Sequence, residues 1–215
     1  GGTAVPGSRT NLGVANLSDH TVSYRFRVLP RRADNSGAQV SEPFTLAAGV
    51  AVRYQDIWRE LSGEGGGAIE VLCDEPGALL VMSRTVNSGI DGTFGQGVPG
   101  IAEDELIVTG EVATLPLLTQ TGTFRSNLAF VNAGDGSLTV EVEFFKRDGT
   151  RLGQDQISLG PRGNALWSEA FRRVTSDNVA VGFVRVCTTT PDARFFAFAS
   201  VIDNRTGDPT TVLPG

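Results

Sequence analysis

The sequence predicts an all-β protein made of two tandem antiparallel β-sandwich domains, each with one short helical turn. Three observations predict it. The chain repeats itself: Arg9-Thr10-Asn11-Leu12-Gly13-Val14-Ala15-Asn16 returns as Arg125-Ser126-Asn127-Leu128-Ala129-Phe130-Val131-Asn132, at an offset of 116 residues. Gly67-Ala68-Ile69-Glu70-Val71 returns as Gly182-Phe183-Val184-Arg185-Val186, and Val98-Pro99-Gly100 as Leu213-Pro214-Gly215, both at an offset of 115. That period is too long for a solenoid unit and has the size of a whole small domain. Second, the apolar runs alternate with period two, as strands with one face on a core and one in water do. Third, helical spacing occurs only in one short stretch per copy.

Copy one begins with the strand signal of the Arg9 motif. Residues 21–29 (Thr-Val-Ser-Tyr-Arg-Phe-Arg-Val-Leu) and, in copy two, 138–145 (Leu-Thr-Val-Glu-Val-Glu-Phe-Phe) alternate apolar and polar. Asp148-Gly149 follows the latter and predicts a type I′ hairpin turn; copy one has the longer loop 33–37 there. Strands closed by turns follow at 44–49 and 157–163. Then come Tyr54, Ile57, Trp58 and Leu61, matched by Trp167, Ala170, Phe171 and Val174, at the i, i+3, i+4, i+7 spacing of one helical face. Stretches this short are marginal alone and are expected to pack one or two turns across the end of a sandwich. Strands 68–72, 78–86, 182–187 and 194–202 complete the two copies, and the last is apolar enough for burial on both sides. The expected division is 1–100 for the first domain, 101–123 for a linker plus the first strand of the second, and 124–215 for the rest.

The copies differ at their starts. Strand-like runs at 105–108 and 112–118 precede copy two, whereas residues 1–8 alone precede copy one. Thr3-Ala4-Val5-Pro6 is expected to match Thr114-Leu115-Pro116 in part. Copy one is therefore expected to lack part or all of its first strand, which leaves unpaired backbone and a gap over the core. The linker strand 105–108 could fold back to cover it, or a neighbouring chain could supply a strand. Thr3, Ala4, Val5 and Pro6, with Leu106, Ile107 and Val108, are the candidate interface residues, together with Phe94 among its glycines.

Composition narrows the function. Apolar residues make up 40% and charged residues 20%, a globular balance. The net charge of −6 argues against a nucleic-acid surface, which needs a basic field. No apolar run approaches the about 20 residues of a membrane helix. The sole methionine is Met82, so a processed product or an excised fragment is expected. His20 is the only histidine and sits in a turn, where a solvent-facing side chain is expected rather than a general base. Cys73 and Cys187 fall on matching strands, and two buried apolar thiols are expected, with a bridge between copies or between chains as the alternative. One histidine and two distant cysteines make no zinc site. The acidic turn 203–208, and its counterpart 87–92, could offer oxygens to calcium, yet the spacing is not that of an EF-hand and Asp and Asn cap such turns themselves. No cofactor is expected. Arg9 and Arg125 are expected to pair with Asp56 and Glu169 as structural anchors. Exposed rings could form a glycan platform; Tyr24, Tyr54, Trp58, Trp167 and Phe94 are candidates, though core packing suits both tryptophans better and Phe94 could equally plug an interface.

Two longer motifs carry a resemblance. The Arg9–Asn16 pattern followed by a strand, an Asp-Gly turn and an aromatic, with the ending Ala199-Ser200-Val201-Ile202-Asp203-Asn204-Arg205-Thr206-Gly207-Asp208-Pro209-Thr210, resembles a repeat of large secreted bacterial proteins. Gly92-Thr93-Phe94-Gly95-Gln96-Gly97-Val98-Pro99 is similar to its counterpart in the preceding repeat. The resemblance covers nearly the whole chain. It implies export and an immunoglobulin-like sandwich, and it brings no reaction with it.

The expected function is accordingly non-enzymatic: an extracellular or cell-surface structural protein that self-associates into an assembly or filament, with strand complementation as the route. The alternative is a carbohydrate- or surface-binding accessory module of a larger secreted protein.

Overall fold

The computed structural model describes residues 2–3, 7–61, 65–89 and 92–215. The chain divides into two compact units, Gly1–Arg32 with Gly37–Asp104, and Ala33–Ser36 with Glu105–Gly215. The first unit holds β1 (Gly2–Thr3), β2 (Ser8–Asn16), β3 (Val22–Pro30), β4 (Phe44–Leu46), β5 (Ala51–Tyr54), the helical turn α1 (Ile57–Glu60), β6 (Gly66–Cys73), β7 (Leu79–Gly89) and β8 (Gly92–Pro99). The second holds β9 (Ile107–Val108), β10 (Val112–Gln120), β11 (Phe124–Asn132), β12 (Leu138–Lys146), β13 (Arg151–Leu159), β14 (Asn164–Trp167), a 3₁₀ turn (Ala170–Arg173), β15 (Val179–Cys187), β16 (Arg194–Asp203) and β17 (Pro209–Val212).

The described strands form four antiparallel sheets, so the all-β sandwich class holds. In the first unit the orders are β1-β6-β3-β4 and β5-β2-β7-β8; in the second they are β10-β15-β12-β13 and β14-β11-β16-β17. Each strand of the first unit thus has a topological counterpart in the second. The short β9 is an addition, paired with β16 through Ile107↔Phe195 and Val108↔Arg194.

Alternation places the cores. In β3, Val22, Tyr24 and Phe26 are buried while Ser23 and Arg25 are exposed. Leu12 and Val14 of the facing sheet close the same core with Ile57 and Leu46. The second core joins Leu128 and Phe130 to Val140, Val142 and Phe144, sealed by Phe171 and by Leu115 and Leu118 from β10. The apolar run of β16 is buried on both sides, with Phe195, Phe196 and Ala197 at or below 8% exposure. Among the described residues no helix is long and apolar enough to cross a membrane.

Local geometry corrects the sequence in two places. The Asp148-Gly149 turn is not type I′: only Gly149 has positive φ, at 85°. Its N–H bonds the Lys146 carbonyl at 3.0 Å and Lys146 N–H bonds the Thr150 carbonyl. This is a type I turn with a left-handed glycine that bulges opposite Lys146, and a second irregularity follows between Phe144 and Phe145, where Leu152 is the extra residue. The two helical stretches also differ: the first is one α turn, and the second is 3₁₀. Each is entered by a non-glycine residue in the left-handed region, Asp56 at φ 52° and Glu169 at φ 49°.

Candidate functional site

The candidate interface residues lie on and around the outer neighbours of β6 and β15. β15 and β6 hold equivalent places, and each has an outer neighbour. On β15 that neighbour is the nine-residue β10, paired from Val112↔Cys187 to Gln120↔Val179. On β6 it is the two-residue β1, paired only through Gly2↔Gly67 and Thr3↔Gly66. The consequence shows in burial. Val184 and Val186 of β15 are 0% exposed, as are Leu115 and Leu118 that cover them. Their counterparts Ile69 and Val71 on β6 pack against the first core and remain half-buried.

The register of β1 corrects the expected match. Gly2 lies opposite Gly67 as Leu118 lies opposite Gly182, so Thr3 takes the place after Leu118 and not that of Thr114. β10 is irregular between Leu115 and Leu118, where Leu117 has φ 55°, and this hides the correspondence from residue counting. Ala4, Val5 and Pro6 lie outside the described residues. The linker strand does fold back, but onto β16 of its own unit: Ile107 is buried in that core, Leu106 is half-buried, and Val108 is exposed. Phe94 is a half-buried residue of edge strand β8, opposite Asn87, and not a free ring in a glycine loop. Gly95 beside it is required by close approach, since a Cβ there would lie 2.2 Å from the Thr85 carbonyl oxygen.

The repeated motif proves to be a set of backbone latches carried by its asparagines. Asn127 Oδ1 accepts the N–H of left-handed Glu169 at 3.0 Å, and Asn11 Oδ1 accepts that of Asp56 at 3.4 Å. The arginines do not make the expected pairs. Arg125 donates to Asn204 Oδ1 at 2.7 Å, while the Asp56 carboxylate lies 3.3 Å from Arg59. The second asparagine of the motif is buried in both copies: Asn16 donates to the carbonyls of His20 and Leu46, and Asn132 to those of Gly136 and Gly160. The signal was present in the sequence, since both asparagines recur at the same spacing.

The remaining candidates are structural. Tyr24, Trp58 and Trp167 are buried, and Tyr24 and Tyr54 join hydroxyl to hydroxyl within a ring cluster with Phe26 and Phe44. Arg173 lies over the Trp167 ring at 4.1 Å. The Asp203 carboxylate accepts the N–H groups of Arg205 and Thr206, so it caps its own turn. Among the described residues no group of three or more His, Cys, Asp and Glu side chains could hold a metal ion. Both cysteines are free and half-buried, not fully buried. They also face opposite ways: Cys73 packs on the first core, whereas Cys187 lies on the outer face opposite Glu141. Burial, with Glu141 and Glu143 nearby, raises the Cys187 thiol, which favours the protonated form.

His20 is solvent-exposed between two carboxylates, with Nδ1 2.9 Å from Asp19 and Nε2 2.8 Å from Glu75. The hydrogen bond to Asp19, then that to Glu75, raises its pKa. A raised pKa stabilises the folded form fully below the unfolded value of about 6.5, and the contribution disappears as pH rises through the folded value. An NMR titration of the imidazole should give a midpoint above about 6.5, and Glu75→Gln should lower it.

No protein-family model matches the sequence, and no curated protein matches it.

Proposed function

We propose that the chain is a non-enzymatic structural subunit of an extracellular bacterial assembly. One observation supports this: the two units repeat one strand plan, β1-β6-β3-β4 with β5-β2-β7-β8 and β10-β15-β12-β13 with β14-β11-β16-β17, as a tandem structural module does. The extracellular part of the reading rests on the sequence resemblance. Tyr24, Trp58 and Trp167, offered as rings for a glycan-binding module, are buried and lend that alternative no support.

Sedimentation velocity over a concentration series, with electron microscopy of the undenatured protein, tests the reading. Concentration-dependent association into uniform particles or fibres is the expected result. Monomers throughout would overturn it.

A further inference from the structure

We infer that the outer face of the sheet β5-β2-β7-β8 binds an acidic segment of another protein, one that carries apolar residues among its carboxylates. This face is turned away from the first core, and it belongs to the sheet that β1 does not join. Strand register fixes which side chains share it. Leu12 and Val14 point into the core, so Arg9, Gly13 and Ala15 of β2 point out. Met82 lies opposite Gly13, Leu80 opposite Ala15 and Arg84 opposite Asn11, while Arg53 of β5 flanks Gly13 on the other side. Leu17 continues the alternation and bonds Ala78 at 2.7 Å. Leu17, Leu80 and Met82 are 63%, 60% and 57% exposed, and Arg9, Arg53 and Arg84 are exposed as well. The apolar side chains crowd one end of the face, the arginines take the other half, and Gly13 and Ala15 keep the ground between the strands low.

Charge names the partner first. Among the described strand residues no carboxylate shares this face, and none of the three guanidinium groups has a hydrogen-bond or ion-pair partner among the described residues. The chain as a whole carries −6, so the cluster runs against the sign of the molecule. Arg9 and Arg84 are diagonal neighbours across β2 and β7, about 7–8 Å apart. Arg84 and Arg53 flank β2, about 12 Å apart. Three planar forks so spaced suit separate carboxylates along one segment. The sandwich itself does not call for them. The second unit sets Leu166 and Phe198 opposite Ala129 and Ser200 opposite Asn127, and its Arg125 is bonded to Asn204. The apolar end then decides the class of partner. Exposed Leu and Met beside Arg is the make-up of a protein–protein contact, and no described ring shares the face to stack on a sugar. A second copy presenting this same face does not fit. A two-fold axis along the strands would set arginine on arginine; one across them would bury arginine against Leu80 without a partner.

The test selects binders to the full chain from a phage-displayed library of random dodecapeptides. Selected peptides should combine several Asp or Glu with Leu, Ile or Val, and a synthetic copy of the strongest should bind the free protein in solution. Arg53→Glu with Arg84→Glu should weaken that peptide about tenfold or more, and added salt should weaken it too. Leu80→Ser with Met82→Ser should weaken it severalfold. Arg25→Glu, an exposed change on the other sheet, should leave it unaltered. The substituted side chains are all exposed, so circular dichroism should show each variant folded. Peptides without acidic bias, no selection at all, or binding indifferent to the double reversal overturns the inference. So does binding to phosphatidylglycerol vesicles or polygalacturonate that needs Arg53 and Arg84 while no acidic peptide is selected, since the occupant is then a lipid surface or a polysaccharide. Sedimentation of the unsubstituted chain decides the assembly role independently of every one of these results.

Discussion

Trp58→Ala and Phe171→Ala should each cost about 3–5 kcal/mol, the range for removing a fully buried large ring. Both rings are 0% exposed, and each is the one contribution of its helical turn that reaches a strand glycine. A Cβ on Gly67 would lie 2.6 Å from Trp58 Cη2 and 2.1 Å from the Leu29 carbonyl oxygen; one on Gly182 would lie 2.8 Å from Phe171 Cζ. The glycine and the ring are thus one device, present in both units: absence of a side chain on the strand makes the seat for the ring. Gly67→Ala and Gly182→Ala should therefore destabilise as well, through overpacking. The rings differ in one respect. Trp58 Nε1–H is buried with no hydrogen-bond partner among the described residues, whereas Phe171 packs edge to face on Phe144 at 5.4 Å. Trp58→Phe removes an unsatisfied donor together with some volume, and should cost less than half of Trp58→Ala. Urea unfolding monitored by circular dichroism reads each effect as a fall in midpoint. A Trp58→Ala midpoint equal to wild type would refute the seat.

Why some of this was legible in the sequence and some was not follows from the physics of each element. Strands such as β3 and β12 face a core on one side and water on the other, so their period-two pattern is a direct imprint of burial. β8 carries three glycines in eight residues, and Gly95 is there for backbone contact with β7, so no strand was expected over it. The start of copy one was visible as a partial match of Thr3-Ala4-Val5-Pro6 to Thr114-Leu115-Pro116. Its register was not, because the irregular Leu115–Leu118 segment breaks the count between the copies. The arginines of the repeated motif drew the anchor role because charge pairing is easy to imagine from sequence. The asparagines hold it, because a left-handed backbone entering a helical turn needs an acceptor for its N–H, and no pattern of charges reports that need. Cys73 and Cys187 look equivalent by spacing; a shift of one residue along matching strands turned them to opposite faces, as period-two geometry requires.

The second asparagine of the motif carries the other large effect. Asn132→Ala should cost about 2–4 kcal/mol, since buried partners left without a bond cost more than the net worth of the bond itself. Asn132 is 0% exposed; its amide donates to the Gly136 and Gly160 carbonyls at 2.7 Å each, and its Oδ1 accepts Gly134 N–H at 2.8 Å. One side chain therefore ties the turn after β11 to the end of β13. Asn16 does the same in the first unit, donating to His20 and Leu46 carbonyls at 2.7 and 2.9 Å and accepting Ser18 N–H at 2.9 Å. Asn132→Asp separates shape from donors. The carboxylate keeps the Gly134 bond and turns an acceptor toward two carbonyl oxygens, in a buried place that disfavours charge. Its folded pKa must then lie above the unfolded value of about 3.9, so the stability deficit is smallest in acid, where a protonated carboxyl still donates once, and grows as pH rises. Asn132→Ala has no such group, and its deficit relative to wild type should not change with pH. Urea midpoints at about pH 4 and pH 7 distinguish the two, and parallel behaviour would mean that the two carbonyl contacts contribute nothing.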